Sequence, residues 1–317
     1  MNRSTFLGAV AAVSTATAVP SRVQAASDLP ISLETATGTL YGTLTLPPRT
    51  PAPVVLIVAG SGPTDRNGNS ALGVRSDTYI LLAQALGARG IATVRYDKRG
   101  IGASAAAMKA ESDLRFDTYV QDAAAWIGLL RGDARFSTVT VAGHSEGSLI
   151  GMLALQHANA DAFASLAGAG RPAPAVLREQ LAAQLPPEMY AQVDAAITRL
   201  QEGHLVPHSS PELAALLRPS VQPYLISWFK YDPAVEIAKL RVPIAIVQGT
   251  ADVQVTMADA HALQRGAPQA RFVVVDGMNH VLKYAPDTAT QAAVLRGYND
   301  PTLPIDPQVV RTVQALV

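Results

Sequence analysis

The chain has 317 residues, enough for one large domain or two ordinary ones, and its 49% hydrophobic and 16% charged residues imply a substantial buried core. Lys plus Arg and Asp plus Glu balance at 25 each, which argues against nucleic acid or an anionic membrane as main partner, since both need a basic excess. Cysteine is absent, so disulfides, thiolate catalysis and zinc–thiolate sites are excluded.

Residues 1–25 read as an export signal. Arg3 gives a short basic start, residues 6–19 are apolar and alanine-rich, and Val23-Gln24-Ala25 puts small residues at the two positions a signal peptidase reads. The apolar run is short of the ~20 residues needed to span a bilayer. The expectation is cleavage near Ala25 and an exported chain, periplasmic or secreted, with no stable membrane insertion.

Residues 31–36 and 39–46 alternate apolar and polar side chains around Gly38, predicting an antiparallel hairpin at a sheet edge. Residues 54–59 are a continuous apolar run, as a strand buried on both faces of a parallel sheet requires. The run ends in Gly60-Ser61-Gly62-Pro63-Thr64-Asp65-Arg66-Asn67-Gly68, a loop by composition. A helix is expected over 77–89 and a strand over 91–96, with Asp97-Lys98-Arg99-Gly100-Ile101-Gly102 as its exit; a helix follows over 116–130.

The next stretch is Val139-Thr140-Val141-Ala142-Gly143-His144-Ser145-Glu146-Gly147-Ser148. A β-branched run, a Gly-x-Ser-x-Gly and an Ala/Leu/Met-rich segment read as strand, sharp turn and helix. That order is the context of a nucleophile elbow, which lifts a serine hydroxyl above a sheet. The helix is expected over 148–157, followed by a short strand over 162–166. The strand–helix rhythm then stops for three helical pieces broken by prolines, over 175–185, 188–201 and 211–229. It resumes with strands over 242–248 and 271–275, a helix over 257–265 between them and a last helix over 307–316. Alternation of this kind implies an α/β fold, a mostly parallel sheet with right-handed crossovers flanked by helices. The core then divides into 26–170 and 236–317, with 171–235 an inserted helical cap.

A serine hydroxyl needs a base to take its proton, and the base needs a partner to orient it. In α/β enzymes the order is Ser…Asp…His, the later two from strand exits. The strand over 242–248 runs into Gly249-Thr250-Ala251-Asp252, and that over 271–275 into Asp276-Gly277-Met278-Asn279-His280. Both lie past the carboxyl ends of parallel strands, where sites form in open sheets.

With these motifs the chain resembles the α/β-hydrolase family, in particular bacterial serine carboxylesterases with a helical cap. The resemblance rests on Gly143-His144-Ser145-Glu146-Gly147, Gly249-Thr250-Ala251-Asp252, Gly277-Met278-Asn279-His280, the Gly60-Ser61-Gly62-Pro63 loop and Tyr96-Asp97-Lys98-Arg99-Gly100-Ile101-Gly102. It implies Ser145 as nucleophile, His280 as base and then acid, and Asp252 as the orienting carboxylate. It also implies oxyanion donors at the backbone N–H groups of Ser61 and Glu146. The family often has His-Gly before that first donor, whereas this chain has Ala59-Gly60. The implied activity is hydrolysis of small carboxylic esters through an acyl-enzyme, with no cofactor and no metal. Thioesterase, acyltransferase and peptidase chemistry use the same triad, and a non-enzymatic ligand-binding module on the same fold is the alternative from another class.

Other residues compete for roles. Asp276 is the second carboxylate near His280 and reads as a turn residue. The exit Ala167-Gly168-Ala169-Gly170, where some family members carry the acid, holds no carboxylate. His144 reads as packing, and His157, His204 and His208 as surface residues without metal spacing. Asp259 and His261 read as solvated on their helix, and Asp97 with Arg99 as a structural ion pair. Asp65-Arg66-Asn67 reads as a turn. Tyr224 and Trp228, four apart on one helix face, are the candidate substrate-pocket residues of the cap, which is expected to cover Ser145 and limit the acyl group to short or medium length.

Overall fold

The structure, a computed structural model, describes residues 25–71, 73–207 and 211–317. The expected export signal lies outside these apart from Ala25, and so does His208. Among the described residues no helix is long and apolar enough to cross a membrane.

The expected hairpin is β1 (Ser27–Thr35) and β2 (Gly38–Leu46), paired antiparallel along their whole length with β1 at the sheet edge. Six further strands complete the sheet: β3 (Ala52–Val58), β4 (Ala92–Tyr96), β5 (Phe136–His144), β6 (Ala162–Leu166), β7 (Ile244–Gly249) and β8 (Arg271–Val275). Their order is β1-β2-β4-β3-β5-β6-β7-β8, and every pairing from β4 to β8 is parallel.

Why the run over 54–59 lacks alternation is visible in its packing. Val54, Leu56 and Val58 enter one core cluster with α2 (Phe116–Arg131), α3 (Glu146–Ala154) and α9 (Met257–Gly266). Val55 and Ile57 enter the other, with α1 (Thr78–Gly87) and α11 (Pro307–Gln314). Each such side chain contributes roughly 1.5–3 kcal/mol of burial, so both faces demand apolar residues and the pattern becomes a run. The carboxyl ends of β3, β5, β7 and β8 then deliver Gly60, Ser145, Asp252 and His280 to one edge of the sheet.

Between β6 and β7 lie α4 (Ala173–Ala182), α5 (Pro187–Gln201), α6 (Ala214–Leu217), α7 (Gln222–Trp228) and α8 (Pro233–Ala238). The single helix expected over 211–229 is broken: Pro211–Leu213 is a 3-10 turn and Arg218, after α6, is extended at φ −53° and ψ 143°. Pro223 accounts for the restart, because its ring inside a longer helix would clash with the carbonyl four residues back, whereas in the first turn of α7 it does not. The sequence reading did not mark α8, although Asp232 caps it by accepting from the Ala234 N–H at 3.0 Å. This helix packs on α3 and α9, and the expected boundary at 235 falls within it. Also unmarked was α10 (Gln291–Tyr298), capped by Thr290.

Candidate active site

Ser145 sits between β5 and α3 at φ 55° and ψ −123°, a sparsely populated conformation that costs on the order of 1–3 kcal/mol. Its surroundings enforce it. The Ser145 N–H donates to Leu166 O at 3.0 Å, and two flanking glycines let the chain fold back on itself. A Cβ on Gly143 would stand 2.3 Å from Gly147 O, and one on Gly147 would stand 2.2 Å from Val58 O. No side chain fits at either position, so the strand–Gly-x-Ser-x-Gly–helix pattern has a steric cause.

His280 and Asp252 meet beside it. His280 Nδ1 lies 2.8 Å from Asp252 Oδ2, and both residues are buried. The other carboxylate oxygen accepts the N–H groups of Gln254 (2.8 Å) and Val255 (2.9 Å), and Gln248 Nε2 donates to Oδ2 at 3.2 Å. Burial pushes the Asp252 carboxyl up, but His280 and these N–H donors outweigh it and hold the group below the usual carboxylate range. An ionised Asp252 can therefore orient the imidazole. Asp276, the alternative acid, is exposed and accepts from the Thr250 hydroxyl at 3.0 Å, a turn role.

Ser145 and His280 line one cavity of about 240 Å³ with Gly60, Ser61, Thr64, Gln254 and Tyr298 among its walls. Gly60 lies directly against the serine: a Cβ there would come within 3.1 Å of Ser145 Cβ. The N–H groups of Ser61 and Glu146 find no acceptor among the described residues. Glu146 opens α3, so its N–H is one of the donors a helix leaves unpaired and its macrodipole favours negative charge there.

Beneath this edge lies a buried polar cluster that sequence reasoning missed. Lys98 is 2% exposed; its Nζ donates to Gly60 O at 2.5 Å, lies 3.7 Å from Glu146 Oε1 and stands 5.0 Å from the centre of the Tyr119 ring. Burial pulls the Lys98 pKa down, opposed by Glu146. Tyr224 donates its hydroxyl to the same Glu146 Oε1 at 2.8 Å. A lysine in a strand-exit loop is solvated by default, and nothing in the sequence signals its burial.

Tyr224 and Trp228 do not line the cavity, which corrects their assignment as substrate-pocket residues. Tyr224 is held under the elbow by Glu146, and Trp228 stacks on Phe116 with centroids 5.9 Å apart and planes at 4°. Their shared helix face is buried against α2. The inserted helices reach the cavity rim through α4, where Gln180 Nε2 donates to Gln254 O at 2.7 Å.

Three further readings change. Asp97 pairs with Arg66 at 2.6 Å, not with Arg99, whose guanidinium makes a bidentate pair with Asp122. Asp259 is buried, bound to Arg171 at 2.7 Å and part of the capping box of α9. His144, beyond packing, is hydrogen-bonded at both nitrogens: Nδ1 to Tyr79 OH at 2.8 Å and Nε2 to His280 O at 2.7 Å. A carbonyl only accepts, so the proton is on Nε2 and Nδ1 takes the tyrosine hydroxyl. His157, His204 and His261 are exposed, and Asp65 closes a turn by accepting from Asn67 N at 2.8 Å and Asn69 N at 2.9 Å.

A family model described as Serine aminopeptidase, S33, matches residues 71–222. Esterase EstD of Thermotoga maritima is 26% identical over 251 residues, covering 77% of this chain and 58% of the esterase; the chain thus spans under two thirds of that relative's length. Est1E from Butyrivibrio proteoclasticus, solved with ferulic acid bound, superposes at a TM-score of 0.56 with 18% identity, over 83% of this chain and 96% of that one. A hydrolase from Agrobacterium vitis S4 superposes at 0.57 with 16% identity, over 93% and 100%. At such identities the solved structures share the fold. The strand order and the strand-exit placement of Ser145, Asp252 and His280 are those of an α/β-hydrolase core. With these matches, the chain has the α/β-hydrolase fold and is similar to members of that family.

Proposed function

We propose that this chain is a serine esterase that cleaves small carboxylic esters through an acyl-enzyme. The observation that carries the reading is one cavity holding a strained serine and a histidine, the latter bonded at 2.8 Å to an ionised aspartate. In this mechanism Ser145 attacks the ester carbonyl while His280 Nε2 takes its proton. The negative oxygen of the tetrahedral intermediate accepts from the N–H groups of Ser61 and Glu146. His280 then protonates the departing alcohol, and water repeats the sequence on the acyl-enzyme. The cavity, about 240 Å³, is smaller than ordinary ligand sites, which supports short acyl groups. The inserted helices act as a cap at the Gln254 rim, and the mature chain is exported after cleavage near Ala25.

A peptidase reading follows from the description of the matching family model, but an aminopeptidase must hold a free ammonium group. Among the described residues, none of those lining the cavity is a carboxylate, which supports the ester reading. The test is p-nitrophenyl acetate hydrolysis together with fluorophosphonate labelling, for wild type and Ser145→Ala. Turnover and labelling are expected in wild type and neither in the variant. An inert wild type, or a variant that still turns over ester, sinks the reading.

A further inference from the structure

We propose that Lys98 and Tyr79 are positioning residues of the oxyanion site: together they clamp both backbone polar groups of Gly60 and so aim the Ser61 N–H at the developing oxyanion. The inference rests on the esterase reading above.

Gly60 has no side chain to anchor it and must lie against Ser145, where a Cβ would come within 3.1 Å of the serine Cβ. Its backbone is fixed from two sides instead. The Gly60 N–H donates to Tyr79 OH at 2.9 Å, and Lys98 Nζ donates to the Gly60 carbonyl at 2.5 Å. That carbonyl and the Ser61 N–H belong to one planar trans peptide, so they point in opposite directions. An ammonium held beneath the carbonyl therefore sets where the N–H points. It also polarises the peptide, which strengthens the N–H as a donor.

The same ammonium reaches the second donor. It lies 3.7 Å from the side chain of Glu146, whose own N–H opens α3. One buried cation thus bridges Gly60, whose carbonyl shares a peptide with the first donor N–H, and Glu146, which carries the second. Tyr79 extends the bracing in the other direction: its hydroxyl donates to His144 Nδ1, and His144 Nε2–H donates to the carbonyl of His280. The chain Gly60–Tyr79–His144–His280 runs from the oxyanion loop to the catalytic base. A buried ion pair is weak evidence for stability, because an apolar residue of similar volume often does as well. Holding two donors in register gives this one a role that an apolar residue could not fill.

Such a role has a kinetic signature. The substrate carbonyl is a weak acceptor and the oxyanion a strong one, so a misdirected N–H is felt in the transition state far more than in the ground state. The test compares wild type with Lys98→Met, which keeps the stem and loses the donor, Lys98→Arg, which keeps a donor, and Tyr79→Phe. With p-nitrophenyl acetate, kcat is normalised to active sites counted by complete fluorophosphonate labelling. Phenylboronic acid, which forms an anionic tetrahedral adduct on serine, reports the oxyanion site separately.

Removing one oxyanion donor outright lowers kcat by roughly 10²–10³; misdirecting one in Lys98→Met is expected to cost about tenfold to a hundredfold. KM should stay within about twofold, and boronate affinity should fall in parallel with kcat. Lys98→Arg should recover part of the loss, and Tyr79→Phe should fall in the same direction by a smaller factor. A lower count of active sites with unchanged kcat per site would mean a merely structural role and overturn the inference. If Lys98→Met does not fold, Tyr79→Phe decides: wild-type kcat and boronate affinity in that variant overturn it. A wild type inert to both ester and fluorophosphonate overturns the esterase reading itself, whereas an active wild type whose variants keep their kcat overturns this inference alone.

Discussion

His144 joins the loop after β3, through Tyr79, to His280, and its environment is expected to make the protein acid-sensitive. It is buried, and burial together with the neighbouring His280 holds its pKa down to about 3, against about 6.5 in an unfolded chain. A base with a lowered native pKa takes up its proton later in the native state than in the unfolded chain. Between the two values the unfolded chain binds more protons, so stability is present above pH ~6.5 and is lost as pH falls towards about 3. From pH 7 to pH 5 the loss attributable to this one group is about 2 kcal/mol, approaching about 5 kcal/mol below pH 3. Urea unfolding at pH 7, 6 and 5 measures it, with His144→Asn as the control that cannot titrate. Wild type should lose about 2 kcal/mol more than the variant between pH 7 and 5, even if the variant starts less stable for want of the two hydrogen bonds. Parallel pH dependences for the two proteins would refute the argument.

Asp252→Asn should lower kcat on the order of 10³–10⁴-fold by disturbing the His280 tautomer, whereas Asp276→Asn should stay within about threefold; steady-state kinetics on both would reverse the acid assignment if the ranking inverted. Across p-nitrophenyl esters of rising acyl length, kcat/KM should peak at acetate to butyrate, and Trp228→Ala should leave that profile unchanged because its ring stacks on Phe116 away from the cavity. A best rate with long-chain esters would contradict the cavity reading. Exported protein should begin near Ala26 on N-terminal sequencing, and an intact Met1 would refute cleavage.

What was legible in the sequence was local. The elbow declares itself because its glycines are required sterically within five residues, and the continuous apolar run of β3 declares burial on both faces. That Asp252 and His280 lie at strand exits was legible because parallel strands end at one edge of the sheet, so the last two strands needed only to be recognised. The order of strands was not legible, since it depends on which runs pair across long stretches of chain, as Val54 does with Val139 and Phe163 with Ile244. The aromatic face of α7 was read correctly as a face and wrongly as a wall of the site. Amphipathic spacing says that one side of a helix is buried and not what it is buried against. Here the partners are Phe116 and Glu146.

The charged exit of β4 is the clearest case of chemistry that spacing could not assign. Asp97-Lys98-Arg99 reads as a strand exit with one ion pair between Asp97 and Arg99, yet each reaches a different partner. Arg95 and Asp97 hold the loop after β3 through Asn67 Oδ1 at 2.8 Å and the Arg66 N–H at 2.8 Å, while Lys98 holds Gly60. Arg99 turns away to Asp122 on α2. The division has a physical reason. The loop after β3 carries backbone groups that the sheet cannot pair, and buried backbone groups must find partners. The neighbouring strand, β4, is parallel to β3 and ends beside it, so its exit residues are the ones within reach. A run of charge at that exit supplies those partners, and the position of the Ser61 N–H follows from how firmly they hold.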